Sequence, residues 1–218
     1  MPLHRIGDKI VLFVHIPKTG GSTIETWLAE LGPSALKHPG KYEGLQVAPQ
    51  HFHAALLERI LPSEFYDDAF CIVRDPFDRI LSEYRWRYRH RAELPTGWAR
   101  FVPGTNKEMA RARHFRKWVA GQFSRTRKNP VNRGNHLRPQ SDFLGVEGCR
   151  IYRFEDGFDQ IMADLAARWS MPHPDVIPHA NASRKTNFSV DAETRRMIDA
   201  FYAEDFEKLG YEKSSDRN

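Results

Sequence analysis

The sequence predicts an α/β protein: a P-loop-type, three-layer α/β/α fold with a mostly parallel central sheet in a single domain spanning residues 1–218. Three observations predict it. Short apolar runs at residues 10–15 and 69–73 read as buried strands, and residues 149–154 resemble a third strand. Segments of helical spacing follow them, and alternation of this kind packs helices onto a parallel sheet. The first strand also runs into a glycine pair that opens a helix, the arrangement of an anion-binding turn.

Each element has a local reason. The strand at 10–15 is ended by Pro17 and by Gly20-Gly21. From Ser22 the apolar positions Ile24, Trp27, Leu28 and Leu31 recur at helical spacing until Gly32-Pro33 stops them. Residues 32–50 read as loop, and His53 to Leu61 as a helix closed by Pro62. Asp75-Pro76 is an N-cap followed by proline in the first turn, and Ile80, Leu81, Tyr84 and Tyr88 give that helix its apolar face. Thr105 with Glu108 forms a capping box for a helix carrying Phe115, Trp118, Val119 and Phe123. Phe158, Ile161, Met162, Leu165 and Trp169 line one face of another helix, and a final helix starts near Asp191.

Composition narrows the function classes. The 218 residues are 40% hydrophobic and 12% aromatic, which excludes a disordered chain. No apolar run approaches the ~18 residues of a membrane span, and the amino-terminal residues lack the apolar core of a signal peptide. The two cysteines, Cys71 and Cys149, cannot build a disulfide framework. They read as buried thiols in a reducing, cytoplasmic setting. The formal charge of +5 is uneven: residues 79–128 hold 14 Lys and Arg against Glu83, Glu93 and Glu108, a net of +11 that leaves −6 elsewhere. A basic helical stretch of this kind reads either as a solvated face or as a groove for an anionic partner. Arginines interleaved with aromatics also occur in nucleic-acid modules, but such a module needs no anion-binding turn, and nucleic acid is not the expected partner.

The most informative segment is His15-Ile16-Pro17-Lys18-Thr19-Gly20-Gly21-Ser22-Thr23. Paired glycines let backbone amides approach an anion, the helix start adds the positive end of its dipole, and Lys18 adds a point charge. Ser22 and Thr23 add hydroxyls. The order differs from the triphosphatase loop, in which the lysine follows the glycines. The second strand ends in Arg74, an anion partner, where a triphosphatase presents an acid to magnesium. The loop is built for an anion that needs no metal, and no ligand cluster of suitable spacing accompanies His51 and His53.

The segments HIPKTGGST and CIVRDPFDRILSEY resemble the two donor-binding signatures of sulfotransferases that use 3′-phosphoadenosine 5′-phosphosulfate, with carbohydrate enzymes of the heparan sulfate 2-O- and 6-O-type and their bacterial relatives as the nearest pattern. The resemblance implies a 5′-phosphosulfate cradle at Lys18, Thr19, Gly20, Gly21, Ser22 and Thr23, and a 3′-phosphate site at Arg74 and Ser82. By analogy with a loop that closes over the donor, it adds Arg184 and Lys185. His136-Leu137-Arg138-Pro139-Gln140, residues 151–156, and residues 201–211 resemble further family segments less specifically. It also implies a catalytic base between the two signatures. His53 is the match and His51 the reserve, histidine being suited to proton transfer at neutral pH. The implied reaction moves a sulfuryl group onto a hydroxyl of an acceptor, an anionic glycan or glycoconjugate, with Lys18 assisting and adenosine 3′,5′-bisphosphate leaving. Two alternatives stand: an ATP-dependent kinase or triphosphatase, and a non-catalytic relative that binds the donor or another anion.

Overall fold

The computed structural model describes residues 2–37, 43–88, 107–177 and 188–217. These fall into two compact units, one within residues 1–74 and 131–182, the other within 75–130 and 183–218.

The first unit is the sheet unit. Its strands are β1 (Leu3–Ile6), β2 (Lys9–Val14), β3 (Ser34–Ala35), β4 (Asp68–Val73) and β5 (Cys149–Arg153), in the spatial order β3-β1-β2-β4-β5. The three strands expected from the apolar runs lie side by side and parallel, with Phe13 opposite Phe70 and Cys71 opposite Ile151. β4 is buried at every position, as a parallel strand covered on both faces must be. The α/β class with a parallel core is thus the observed architecture. Two short antiparallel strands, β1 and β3, extend the sheet beyond β2. β3 falls inside residues 32–50, read from sequence as loop, because a two-residue strand has no apolar period to detect.

Helices α1 (Gly21–Leu31) and α5 (Phe158–Arg168) bury Ile24, Trp27, Leu28, Ile161, Met162 and Leu165 against Val11, Phe13, Phe70 and Ile72. Trp27 stacks on Trp169 with 5.8 Å between ring centroids. Asp68 anchors this region: Arg168 donates to both its oxygens, at 2.6 and 2.8 Å, and Trp169 Nε1 donates at 2.8 Å. The helix expected over 53–61 is shorter. A 3₁₀ turn at Pro49–His51 precedes α2, which covers only Ala54–Leu57 with His53 at its N-cap. Cys71 is buried as expected, whereas Cys149 is half-buried, because β5 is an edge strand; both are free thiols.

The second unit is helical: α3 (Pro76–Tyr88), α4 (Lys107–Lys128), α6 (Ala192–Phe201) and α7 (Ala203–Leu209). The expected cap is present on α3, and α6 is capped by Asp191, near which the final helix is expected to start. The Asp75 carboxylate accepts from Asp78 N at 2.9 Å, and the Asp191 carboxylate from Thr194 N at 2.8 Å. The capping box on α4 involves Thr105, outside the described residues; Glu108 accepts from Ser189 N at 3.1 Å. The single helix expected after Asp191 breaks at Tyr202, whose φ of −106° and ψ of 27° leave the helical region. Burial of Tyr202 beneath Arg79 and Phe123 accompanies the break.

Candidate functional site

The turn between β2 and α1 is held from beneath. His15, at the end of the strand, is buried, and its Nδ1 donates to the Glu25 carboxylate at 2.7 Å. Burial alone would raise the Glu25 carboxyl; the His15 hydrogen bond, with the charges of His15 and Lys37, outweighs it and holds the group below its ordinary value. The His15 ring occupies the space beside Gly21, where a Cβ would come within 2.1 Å of Nε2. Gly20 has φ +85°, and a Cβ there would lie 2.3 Å from the Phe158 ring. Only glycine meets both the backbone and the steric demand at position 20. Lys18 is itself left-handed at φ +71°. A non-glycine residue in that region carries strain that the surrounding structure must hold, a frequent feature of functional loops. Thr19 is buried and its hydroxyl donates to Ile16 O at 2.9 Å, closing the turn. Ser22 is exposed on the first turn of α1, and Thr23 N donates to Gly20 O at 3.0 Å.

Arg74, at the end of β4, is drawn to the same turn. Its Nη1 donates to Lys18 O at 3.5 Å, and its guanidinium lies 4.2 Å from the centroid of the Phe154 ring. Gln140 fixes the backbone at this point by both halves of one peptide-like contact: Arg74 N donates to Gln140 Oε1 at 2.9 Å, and Gln140 Nε2 donates to Arg74 O at 2.7 Å. The fully buried amide of Gln140 behaves as an extra strand residue beyond the end of the β4 ladder.

The two histidines between the signatures differ. His51 is buried; its Nδ1 donates to His15 O at 3.3 Å, which leaves Nε2 to accept from Gln50 Nε2 at 3.1 Å. The rings of His15 and His136 flank it at 4.8 and 5.1 Å. Burial, then the charges of His15 and His136, hold its pKa far below the ordinary range. Both ring nitrogens are thus engaged within the fold, Nδ1 with the turn and Nε2 with Gln50. His53 is half-buried, with Nδ1 shielded from solvent and without a hydrogen-bond partner. Burial and the charge of Arg138 lower its pKa, and Asp142 opposes them.

Lys18, Thr19, Gly20, Gly21, Ser22, Thr23, Arg74 and His53 all belong to the first unit, and Arg74 contacts the turn at Lys18 O. Ser82 belongs to the second, buried on α3. Arg184 and Lys185 lie outside the described residues. The sequence pattern assigns no role at this turn to Glu25, Asn135, Arg138, Gln140, Phe154 or Phe158. The segment 136–140 carried a family resemblance that could have drawn attention to Arg138 and Gln140. Among the described residues no group of three or more His, Cys, Asp or Glu is placed to hold a metal ion, and no helix is long and apolar enough to cross a membrane.

Residues 5–212 match the model of the sulfotransferase family. The chain belongs to that family, whose members are transferases. No curated protein matches it significantly. A solved structure of a sulfotransferase from Alicyclobacillus acidocaldarius matches with 21% sequence identity and a TM-score of 0.39, over 65% of this chain and 52% of that one. The chain thus spans about half the length of that relative.

Proposed function

We propose that the protein transfers a sulfuryl group from 3′-phosphoadenosine 5′-phosphosulfate to a hydroxyl of an acceptor, within one sulfotransferase domain. The observation that carries this reading is the turn at residues 15–23: a left-handed lysine, a glycine pair pressed against His15 and Phe158, and the start of α1 form a rigid anion cradle. The family match supports the sulfuryl chemistry.

In this reading the amides at the start of α1 hold the 5′-phosphate. Lys18 neutralises charge that develops on the bridging oxygen of the departing nucleotide, where a fixed cation stabilises the transition state more than the ground state. Arg74 and Ser82 hold the 3′-phosphate, and Arg184 and Lys185 add charge over the donor. The acceptor oxygen attacks sulfur in line, the sulfur–oxygen bond to the nucleotide breaks, and His53 takes the hydroxyl proton. His53 is favoured over His51 because both nitrogens of His51 are engaged within the fold. Keeping His53 neutral, as burial and Arg138 do, suits a proton acceptor. No metal is needed in this scheme. The acceptor class we favour is an anionic carbohydrate, as in the heparan sulfate 2-O- and 6-O-type enzymes, drawn by the basic residues of 79–128. With two free cysteines, we place the reaction in a reducing cytoplasm.

Thermal shift separates this reading from a kinase or triphosphatase. Adenosine 3′,5′-bisphosphate should raise Tm in the presence of a chelator, and Mg-ATP should not. Stabilisation by Mg-ATP alone would overturn the proposal. Transfer of labelled sulfate from the donor to any member of a carbohydrate library would exclude a purely binding role and identify the acceptor.

A further inference from the structure

A continuous chain of polar contacts runs from the anion cradle to the surroundings of His53. It begins at His15 O, which accepts from His51 Nδ1. The carbonyl of His51 accepts from Asn135 Nδ2 at 2.9 Å. Asn135 is fully buried and left-handed, with φ +67°. Its Oδ1 accepts from Arg138 Nε at 3.1 Å, and Arg138 Nη1 donates to Asp142 Oδ2 at 2.7 Å. Asp142 lies in the 3₁₀ turn at Gln140–Phe143, which packs on α2, the helix that His53 caps. Arg138 uses one face of its guanidinium on Asn135 and another on Asp142, a fork that a lysine cannot reproduce.

We propose that the Arg138–Asp142 ion pair, tied through Asn135 to the backbone of His51, is a positioning device for the segment that carries His53. The proposal rests on the reading of His53 as the base. Arg138 comes from the turn ahead of Gln140 and Asp142 from the turn itself, which packs on α2; the charge of Arg138 disfavours a protonated His53 and that of Asp142 favours it. Their mutual contact fixes the balance. Removing the cation leaves the carboxylate to favour imidazolium, whereas removing the anion leaves the guanidinium to disfavour it. Asn135 and the His51 carbonyl set where this pair sits relative to the cradle, so the base and the donor loop share one support.

The test is an NMR titration of His53, with the ring resonance assigned by its loss in His53→Gln. It uses the full chain and compares wild type with Arg138→Met, Asp142→Asn and Arg138→Lys. The midpoint is expected to rise by about 1 pH unit in Arg138→Met and to fall by a similar amount in Asp142→Asn. Arg138→Lys keeps the charge and guards against loss of fold; its midpoint should stay closer to wild type than that of Arg138→Met. Affinity for adenosine 3′,5′-bisphosphate should change less than about two-fold, because the cradle's own contacts remain. Midpoints that do not move in Arg138→Met and Asp142→Asn, or that move in the same direction, overturn the proposal. The acid limb of kcat/KM then distinguishes the two readings. A limb that follows the NMR midpoint supports both. A limb that stays while the midpoint moves leaves the positioning role intact and removes His53 as the base.

Discussion

The proposed anion cradle at residues 15–23 and the basic helices α3 and α4 both announce positive charge in the sequence, yet they hold it in different ways. In the cradle one lysine stands on a backbone fixed by a buried His15–Glu25 pair, two glycines and an aromatic floor. In the helices, much of the described charge already has a use within the fold. Arg79 is buried at 1% exposure beside Tyr202, Arg87 pairs with Glu83, and Arg116 pairs with Glu193. A count of arginines therefore overstates what a basic helix offers an incoming anion, while the turn at 15–23 fixes the backbone from which its one lysine extends. Preorganisation separates them more than number does.

The sharpest way to break this comparison is to remove the cradle's charge. Lys18→Met is expected to lower kcat by roughly 10²–10³-fold, the usual cost of losing one preorganised charge-stabilising group. Single-turnover sulfate transfer measures it, and a loss below ten-fold would assign the charge elsewhere. Next comes a buried imidazole on β1. His4 is fully buried, with both ring nitrogens without a hydrogen-bond partner, and burial lowers its pKa to about 4. Because the folded value lies below the unfolded ~6.5, the unfolded chain binds the proton more tightly. Stability should thus fall as pH drops from about 6.5 towards 4, by up to the order of 3 kcal/mol. Urea midpoints across that range should flatten in His4→Phe, and an unchanged slope would refute the assignment.

Gly21→Ala tests the floor itself. A Cβ within 2.1 Å of His15 Nε2 forces the ring or the helix start to move, at about 1–3 kcal/mol. Tm and the affinity for adenosine 3′,5′-bisphosphate should fall together; a fall in Tm with unchanged affinity would separate the packing from the anion site. Arg116→Ala is the mildest change. The Arg116–Glu193 pair is 3.0 Å long but exposed, so its loss should cost under about 1 kcal/mol and leave nucleotide affinity unaltered. A ten-fold weaker affinity would show that helix charge reaches the donor after all.

The parts legible in the sequence were those whose cause is local. The turn at 15–23 combines strand, glycines and helix start within nine residues, and Asp75 and Asp191 cap helices through amides three positions on. The supports were not legible, because their partners are distant in the chain. Gln140 meets Arg74 across 66 positions, and Asn135 meets His51 across 84. Nothing in the pattern around Glu25 distinguishes it from a solvated helix acid, yet it is buried against His15. The break at Tyr202 was hidden for the opposite reason: the apolar spacing continues through it, while the chain turns to bury the ring.

Lys18 shows what such supports demand of inheritance. Its left-handed backbone favours glycine, while its proposed chemistry requires a long cationic side chain. Each replacement gives up one of the two: glycine relaxes the chain and discards the charge, and a neutral side chain keeps the strain without the benefit. Arginine retains a cation, but one whose wide planar head differs from a compact ammonium. In a saturation library selected for sulfate transfer, position 18 should therefore tolerate almost nothing, whereas the exposed Glu30 at the far end of α1 should accept several residues.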